Sequence, residues 1–158
     1  MKSVIKAMGL ALAFVLVSVI VGVALFGNPA GLSGSDYTWR QQALIRMLNT
    51  PMPILGAVTI LVGVVSAFLD KAETRAWGWW LAGAFLFVLT GLVTRFCNQP
   101  INAVVMSWNP DVPPPDWQIL RDQWGRWHLV RVALSGAGFV SFVIGYVRGR
   151  QIRGRGAK

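Results

Sequence analysis

The sequence predicts an all-α fold, an integral membrane four-helix bundle, and three observations carry that prediction. Of 158 residues, 54% are hydrophobic and only 13% charged, against about 25% charged in an ordinary soluble domain. Four apolar runs, at about 4–26, 52–69, 77–96 and 128–147, approach or reach the length needed to cross a hydrocarbon core of about 30 Å. The formal charge of +9 is spread over the termini and the ends of those runs, where membrane proteins keep their cations, rather than on a face for nucleic acid. One domain, 1–147, is expected, followed by a disordered basic tail at 148–158. The lipid bilayer is its first partner, and no nucleic acid is expected.

The first run follows Lys2 and Lys6, as a signal peptide would. It exceeds a usual h-region of about 7–15 residues and no A-x-A site follows, so it reads as a retained membrane helix. The loop after it holds turn material, Asn28-Pro29 and residues 31–35. Asp36 is then placed to cap an amphipathic helix over 37–48. That helix reads as interfacial, anchored by Tyr37 and Trp39; the other reading sets Tyr37, Gln41 or Arg46 over a pocket. The second span is entered through Pro51 and Pro53 and ends in the charged turn 70–75. Trp77, Trp79 and Trp80 sit where an aromatic belt belongs. The third span is rich in glycine and alanine, which allows close helix packing, within the bundle or between copies in a homo-oligomer. It closes near Met106 and Trp108 if it survives Pro100. Ser135, Gly136, Gly138 and Gly145 offer similar notches on the fourth span.

Four spans put both termini on one side. That side carries nine basic residues (Lys2, Lys6, Lys71, Arg75, Arg148, Arg150, Arg153, Arg155 and Lys158), against four in the opposite loops (Arg40, Arg46, Arg121 and Arg126). The positive-inside rule therefore predicts cytoplasmic termini, in the cell (inner) membrane, with residues 98–131 on the outer face.

That outer stretch holds the candidate chemistry. Arg95, Asn98 and Asn102 recur at spacings that one helical face would stack, as do Trp117, Trp124, His128 and Arg131. The proline-rich turn 109–116, with Pro113, Pro114 and Pro115, interrupts the helix between them. Two readings stay open. In the structural one the asparagines bond across helices, the arginines snorkel, and His128 satisfies a carbonyl. In the functional one the two stripes enclose a site. One cysteine, one histidine and six acidic residues give no basis for a disulfide, a metal centre or a bis-histidine haem. No GxGxxG turn follows a strand pattern, so no cofactor is expected.

The segment Asn98-Gln99-Pro100-Ile101-Asn102, then Trp108-Asn109-Pro110, Pro113-Pro114-Pro115-Asp116-Trp117 and the run from Leu120 to Arg131 with its His128-x-x-Arg131 step, resemble a known pattern. They are similar to the anthrone oxygenase-like family of small four-helix membrane proteins, a domain-of-unknown-function family. The region of Tyr37, Gln41 and Met52-Pro53 resembles that family's first loop. The resemblance implies an oxygenase that oxidises an anthrone to an anthraquinone with O₂, without metal or flavin. Such chemistry needs a base, donors for an oxyanion and aromatic walls. His128 and Arg131 are the candidate catalytic pair; Asn98, Asn102, Trp117, Trp124, Arg95, Tyr37 and Gln41 are candidates for binding a small aromatic or enolic ligand. The alternative is a non-enzymatic accessory or small-ligand-binding membrane protein. A proton-coupled transporter fits less well, because no acidic residue is expected in mid-span.

Overall fold

A computed structural model describes residues 1–27, 31–71 and 76–156, with side chains as far as residue 150. The expected Asn28-Pro29 turn and positions 72–75 of the charged turn lie outside the described residues. Those described form helices and turns: α1 (Lys2–Phe26), α2 (Gly34–Leu48), α3 (Pro51–Lys71), α4 (Trp77–Val93), a π-helical turn (Thr94–Asn98), α5 (Gln99–Met106) and α6 (Trp117–Gly156). Four stretches have the length and hydropathy to cross a membrane: Lys2–Phe26, Pro51–Lys71, Trp77–Met106 and Trp117–Arg150.

These four pack as a ring in the order α1, α3, α4, α6, back to α1. A central cluster of Leu16, Ile20, Trp80, Phe87 and Phe142 fills the middle. Side chains outside it, such as Phe14, Leu61, Phe85 and Val140, point outward, as they do when lipid rather than water is the solvent.

Two spans are longer than their apolar runs suggest. The third passes Phe96 and Pro100 and ends at Met106, with Pro100 in the first turn of α5. The helix runs into it without a break, the Gln99 amide donating to the Thr94 carbonyl across the π-turn, while Pro100 itself has no N–H to donate. The wide π-turn just before it absorbs the ring. The fourth begins at Trp117, directly after the prolines, and its backbone stays helical to Gly156, so the expected tail at 148–158 starts inside α6.

The end of the bundle that carries the chain termini is closed by a buried ion pair. Lys6 of α1 donates to Asp70 Oδ1 of α3, and Trp80 Nε1 of α4 donates to Asp70 Oδ2 at 3.2 Å. Gly149 of α6 lies against the same carboxylate, where an added Cβ would stand 3.2 Å from Oδ2. Asp70 is fully buried. In the sequence Lys6 is one of the basic residues of the terminal side and Asp70 opens the charged turn 70–75; in the fold the two are partners. They meet because an ammonium and a carboxylate at this depth are far costlier apart than together.

At the opposite end α2 lies across the bundle. Its N-cap is Ser33 rather than the expected Asp36: Ser33 Oγ accepts from the Asp36 amide at 3.1 Å and donates to the Asp36 carboxylate at 2.6 Å. This reciprocal arrangement starts the helix at Gly34, earlier than the sequence pattern placed it. Gln42 Nε2 donates to the carbonyls of Val105 and Trp108, both at 3.0 Å, and pins α2 to the end of α5. Trp39 is exposed and able to meet the interface, whereas Tyr37 is buried within the protein, so only one of the two expected anchors faces outward.

Candidate functional site

Three residues on α6 form the backbone of the site. Trp124, His128 and Arg131 are spaced four and three apart and so lie along one helical stripe. The rings of Trp124 and His128 stack with centroids 4.7 Å apart at 12°. His128 is 3% exposed; its Nε2 lies 3.0 Å from the Ile20 carbonyl of α1 and its Nδ1 lies 3.4 Å from Arg131 Nη1. A carbonyl only accepts and a guanidinium only donates. The neutral imidazole must therefore carry its hydrogen on Nε2, leaving the Nδ1 lone pair toward Arg131.

The π-turn sets the facing residues. Asn98 is fully buried, and its Nδ2 donates to the Trp124 carbonyl at 3.2 Å. One turn on, Asn102 Oδ1 accepts from Trp124 Nε1 at 2.8 Å. The two asparagines thus hold Trp124 by its backbone and by its ring. Arg95 does not share their face: it is exposed and reaches Gln99 Oε1 at 3.5 Å. A regular helix would have aligned all three; the wider turn rotates the residues after it relative to those before.

Two adjoining cavities open beside this cluster. The smaller, about 70 Å³, is bordered by Gln41, Asn102, Trp124, His128 and Arg131, with Ile20, Ile45, Asn49, Thr94 and Gln99. The larger, about 260 Å³, is mainly apolar, runs between α3 and α4, and is bordered by Arg95 and Arg131 at its polar end. Among the described residues no carboxylate borders either one. Among the described residues the buried Arg131 Nε has no partner, and Asn98 Oδ1 is likewise unmatched.

Five of the expected site residues therefore meet at the smaller cavity: Gln41, Asn102, Trp124, His128 and Arg131. Arg95 belongs to the rim of the larger one. Asn98 lines neither and supports Trp124 from behind. Trp117 and Tyr37 lie away from both cavities; their rings stack with centroids 5.0 Å apart, and the Arg121 guanidinium sits 4.9 Å above Trp117. Burial pushes the Tyr37 hydroxyl up to about 12, with Arg121 opposing the shift and Asp122 adding to it. That side chain is a clamp between α2 and α6 rather than part of the cavity wall. Sequence reasoning missed Gln99 and Thr94, which border both cavities, and the Ile20 carbonyl that fixes His128. Gln99 lay inside the quoted Asn98–Asn102 motif and was the readable signal; a main-chain carbonyl on α1 leaves none.

The family model described as anthrone oxygenase matches residues 39–141. That segment contains α3 to α5, all of α2 from Trp39 onward, and α6 as far as Ser141, so it takes in every cavity-lining side chain of the α2–α6 region. It leaves out α1, which contributes Ile20. No curated protein and no solved structure matches the chain. With the match covering well over half the sequence and all of the polar cluster, this four-helix protein belongs to the anthrone oxygenase family.

Proposed function

We propose that the protein is a cofactor-independent oxygenase of a small aromatic or enolic ketone, in the cell (inner) membrane with both termini cytoplasmic and the site toward the outer face. The observation that supports it best is the convergence of a neutral histidine, an arginine without a carboxylate partner and amide side chains on one cavity. An anthrone-type substrate has an acidic C–H beside its rings. His128 Nδ1 takes that proton, and the negative charge moves to the ketone oxygen, where Arg131 and the Gln99 or Asn102 amides stabilise it. The electron-rich enolate reduces O₂ directly, forming a C–O bond to give a peroxide anion, which takes the proton back from His128 and becomes a hydroperoxide. Loss of water from the hydroperoxide carbon then leaves a second carbonyl: CH₂ plus O₂ becomes C=O plus H₂O. His128 removes the second hydrogen of that carbon as the O–O bond breaks and gives it to the departing hydroxide, so the site ends as it began. No electron has to come from elsewhere.

A specific observation also favours the alternative, a non-enzymatic accessory or ligand-binding protein. Asn98, Asn102 and His128 each make a hydrogen bond to a neighbouring helix, as interhelical contacts do. One experiment separates the two. His128→Ala and Asn102→Ala are purified in detergent and assayed for melting temperature and for O₂ uptake with an anthrone. The oxygenase reading expects the His128 variant to keep its fold and lose about 10²–10⁴ in rate. Absence of turnover in the parent, or parental rates in both variants, overturns it in favour of the binding role.

A further inference from the structure

The 70 Å³ cavity beside His128 has room for roughly two water-sized groups, enough for a reacting oxygen but not for fused rings. The body of a ligand must lie elsewhere. The neighbouring 260 Å³ chamber approaches the lower end, about 300 Å³, of ordinary ligand pockets. The two share Ile20, Met52, Pro53, Thr94, Gln99 and Arg131, so they adjoin and Arg131 borders both.

Where the chamber opens is decided by its rim. Its floor is buried: Leu16, Ile20, Phe87 and Thr90. Ala57 on α3 and Gly91 on α4 border it and are exposed. Gly91 lies midway along the span Trp77–Met106, at the depth where the surroundings are hydrocarbon, not water. Gly56 and Gly91 have nothing within 4 Å of where a Cβ would be, so each borders open space. Both are the smallest residue at the place where a larger one would narrow the gap.

We infer that the chamber is a lateral door and hydrocarbon pocket for a ligand dissolved in the bilayer: a flat apolar molecule with one ionisable oxygen, which slides between α3 and α4 until the oxygen reaches Arg131. Charge complementarity selects that occupant. Among the described residues the cation at the inner end has an unmatched Nε and no carboxylate around the cavities, so an enolate, phenolate or carboxylate completes it where a neutral hydrocarbon does not. The inference rests on the proposed site but concerns binding and route, and it is tested without turnover.

The probes are anthracene-9-carboxylate and, as the uncharged comparison, anthracene, each titrated into full-length protein in lipid nanodiscs. Saturable binding of the acid and at least tenfold weaker binding of anthracene, a difference of about 1.4 kcal/mol, is the expected result. Gly91→Phe and Gly56→Leu should slow association of the acid about tenfold or more. Gly136→Leu, at a glycine that is equally uncrowded but borders neither cavity, should leave it unchanged. Melting temperatures check that each variant folds, and the two rim variants check one another. If the parent binds the acid and both folded rim variants associate at its rate, the lateral door is overturned while the site reading survives. If the parent binds neither probe, or binds both equally, the ligand class is overturned. Binding that follows expectation in a protein that consumes no O₂ would uphold the door and remove only the oxygenase chemistry.

Discussion

The two ends of the bundle solve the same problem in opposite ways. At the end with the termini, Lys6, Asp70 and Trp80 satisfy one another, and next to them in the core Phe142 packs directly against Gly63 and Gly83. At the other end Arg131 is a half-buried cation whose buried Nε has no partner among the described residues, beside two cavities. Of the four buried side-chain atoms without a partner among the described residues, Tyr37 Oη, Asn98 Oδ1 and Arg131 Nε lie at this end and only Ser66 Oγ lies elsewhere. A polar group in an apolar medium is costly unless paired. One end has removed that cost; the other retains it. Retained cost at a cavity is what a binding site needs, because a ligand recovers it.

The largest expected effect is on the closed end. Asp70→Ala strands the Lys6 ammonium and should destabilise by about 3–5 kcal/mol, read as a fall in melting temperature in detergent. The double change Lys6→Met, Asp70→Leu should recover most of it, since an apolar pair of similar size leaves no charge behind. If Asp70→Ala melts like the parent, the ends are not different in kind. Next comes the open end: Arg131→Met should reduce O₂ uptake by about 10²–10³, the usual cost of a lost oxyanion donor. Its melting temperature should hold or rise. A marked fall would mean that Arg131 is structural after all.

Smaller effects test the packing itself. A Cβ at Gly83 would lie 2.4 Å from Phe142 Cδ1, and one at Gly63 2.4 Å from Phe142 Cζ. Gly83→Ala should therefore destabilise by about 1–3 kcal/mol, whereas Gly91→Ala beside the apolar chamber should change little. The smallest effect concerns Tyr37. Its hydroxyl has no partner, so Tyr37→Phe should be neutral or stabilise by up to about 1 kcal/mol at pH 7. Its folded value of about 12 lies above the ordinary 10. The folded state thus holds the proton longer, and its contribution is complete below pH 10 and lost as pH rises toward 12. The phenylalanine variant should lack that part of the alkaline decline in melting temperature.

The four spans were legible because continuous hydropathy is a local property, and each run announces itself without its neighbours. The Trp124, His128, Arg131 stripe was legible for the same reason, since helical spacing alone stacks residues four and three apart. What failed to show were relations between distant segments. Lys6 and Asp70 each look like an ordinary charge at the end of a span; only the ring of helices makes them partners. Trp117 seemed to share a cavity with Trp124, yet its partner is Tyr37 on α2, which no periodicity in either helix predicts. Arg95 left the face of Asn98 and Asn102 because one widened turn intervenes, and Pro100 advertised a break rather than a widening.

That widened turn, Thr94–Asn98, works as a phase setting. One additional residue in a helix advances everything after it by about 100°, the angle of a single step at 3.6 residues per turn. Upstream of it, Phe87 and Gly91 are registered to the apolar chamber; downstream, Asn102 is registered to Trp124. Removing one residue, Cys97 for instance, would leave composition, hydropathy and span length nearly untouched while swinging α5 through that angle, taking Asn102 off the indole and Gln42 off its carbonyls. The bundle thus has a dial here, in which the indexing of one strip of side chains against another is changed by length alone, with no alteration to the polar residues around the cavities.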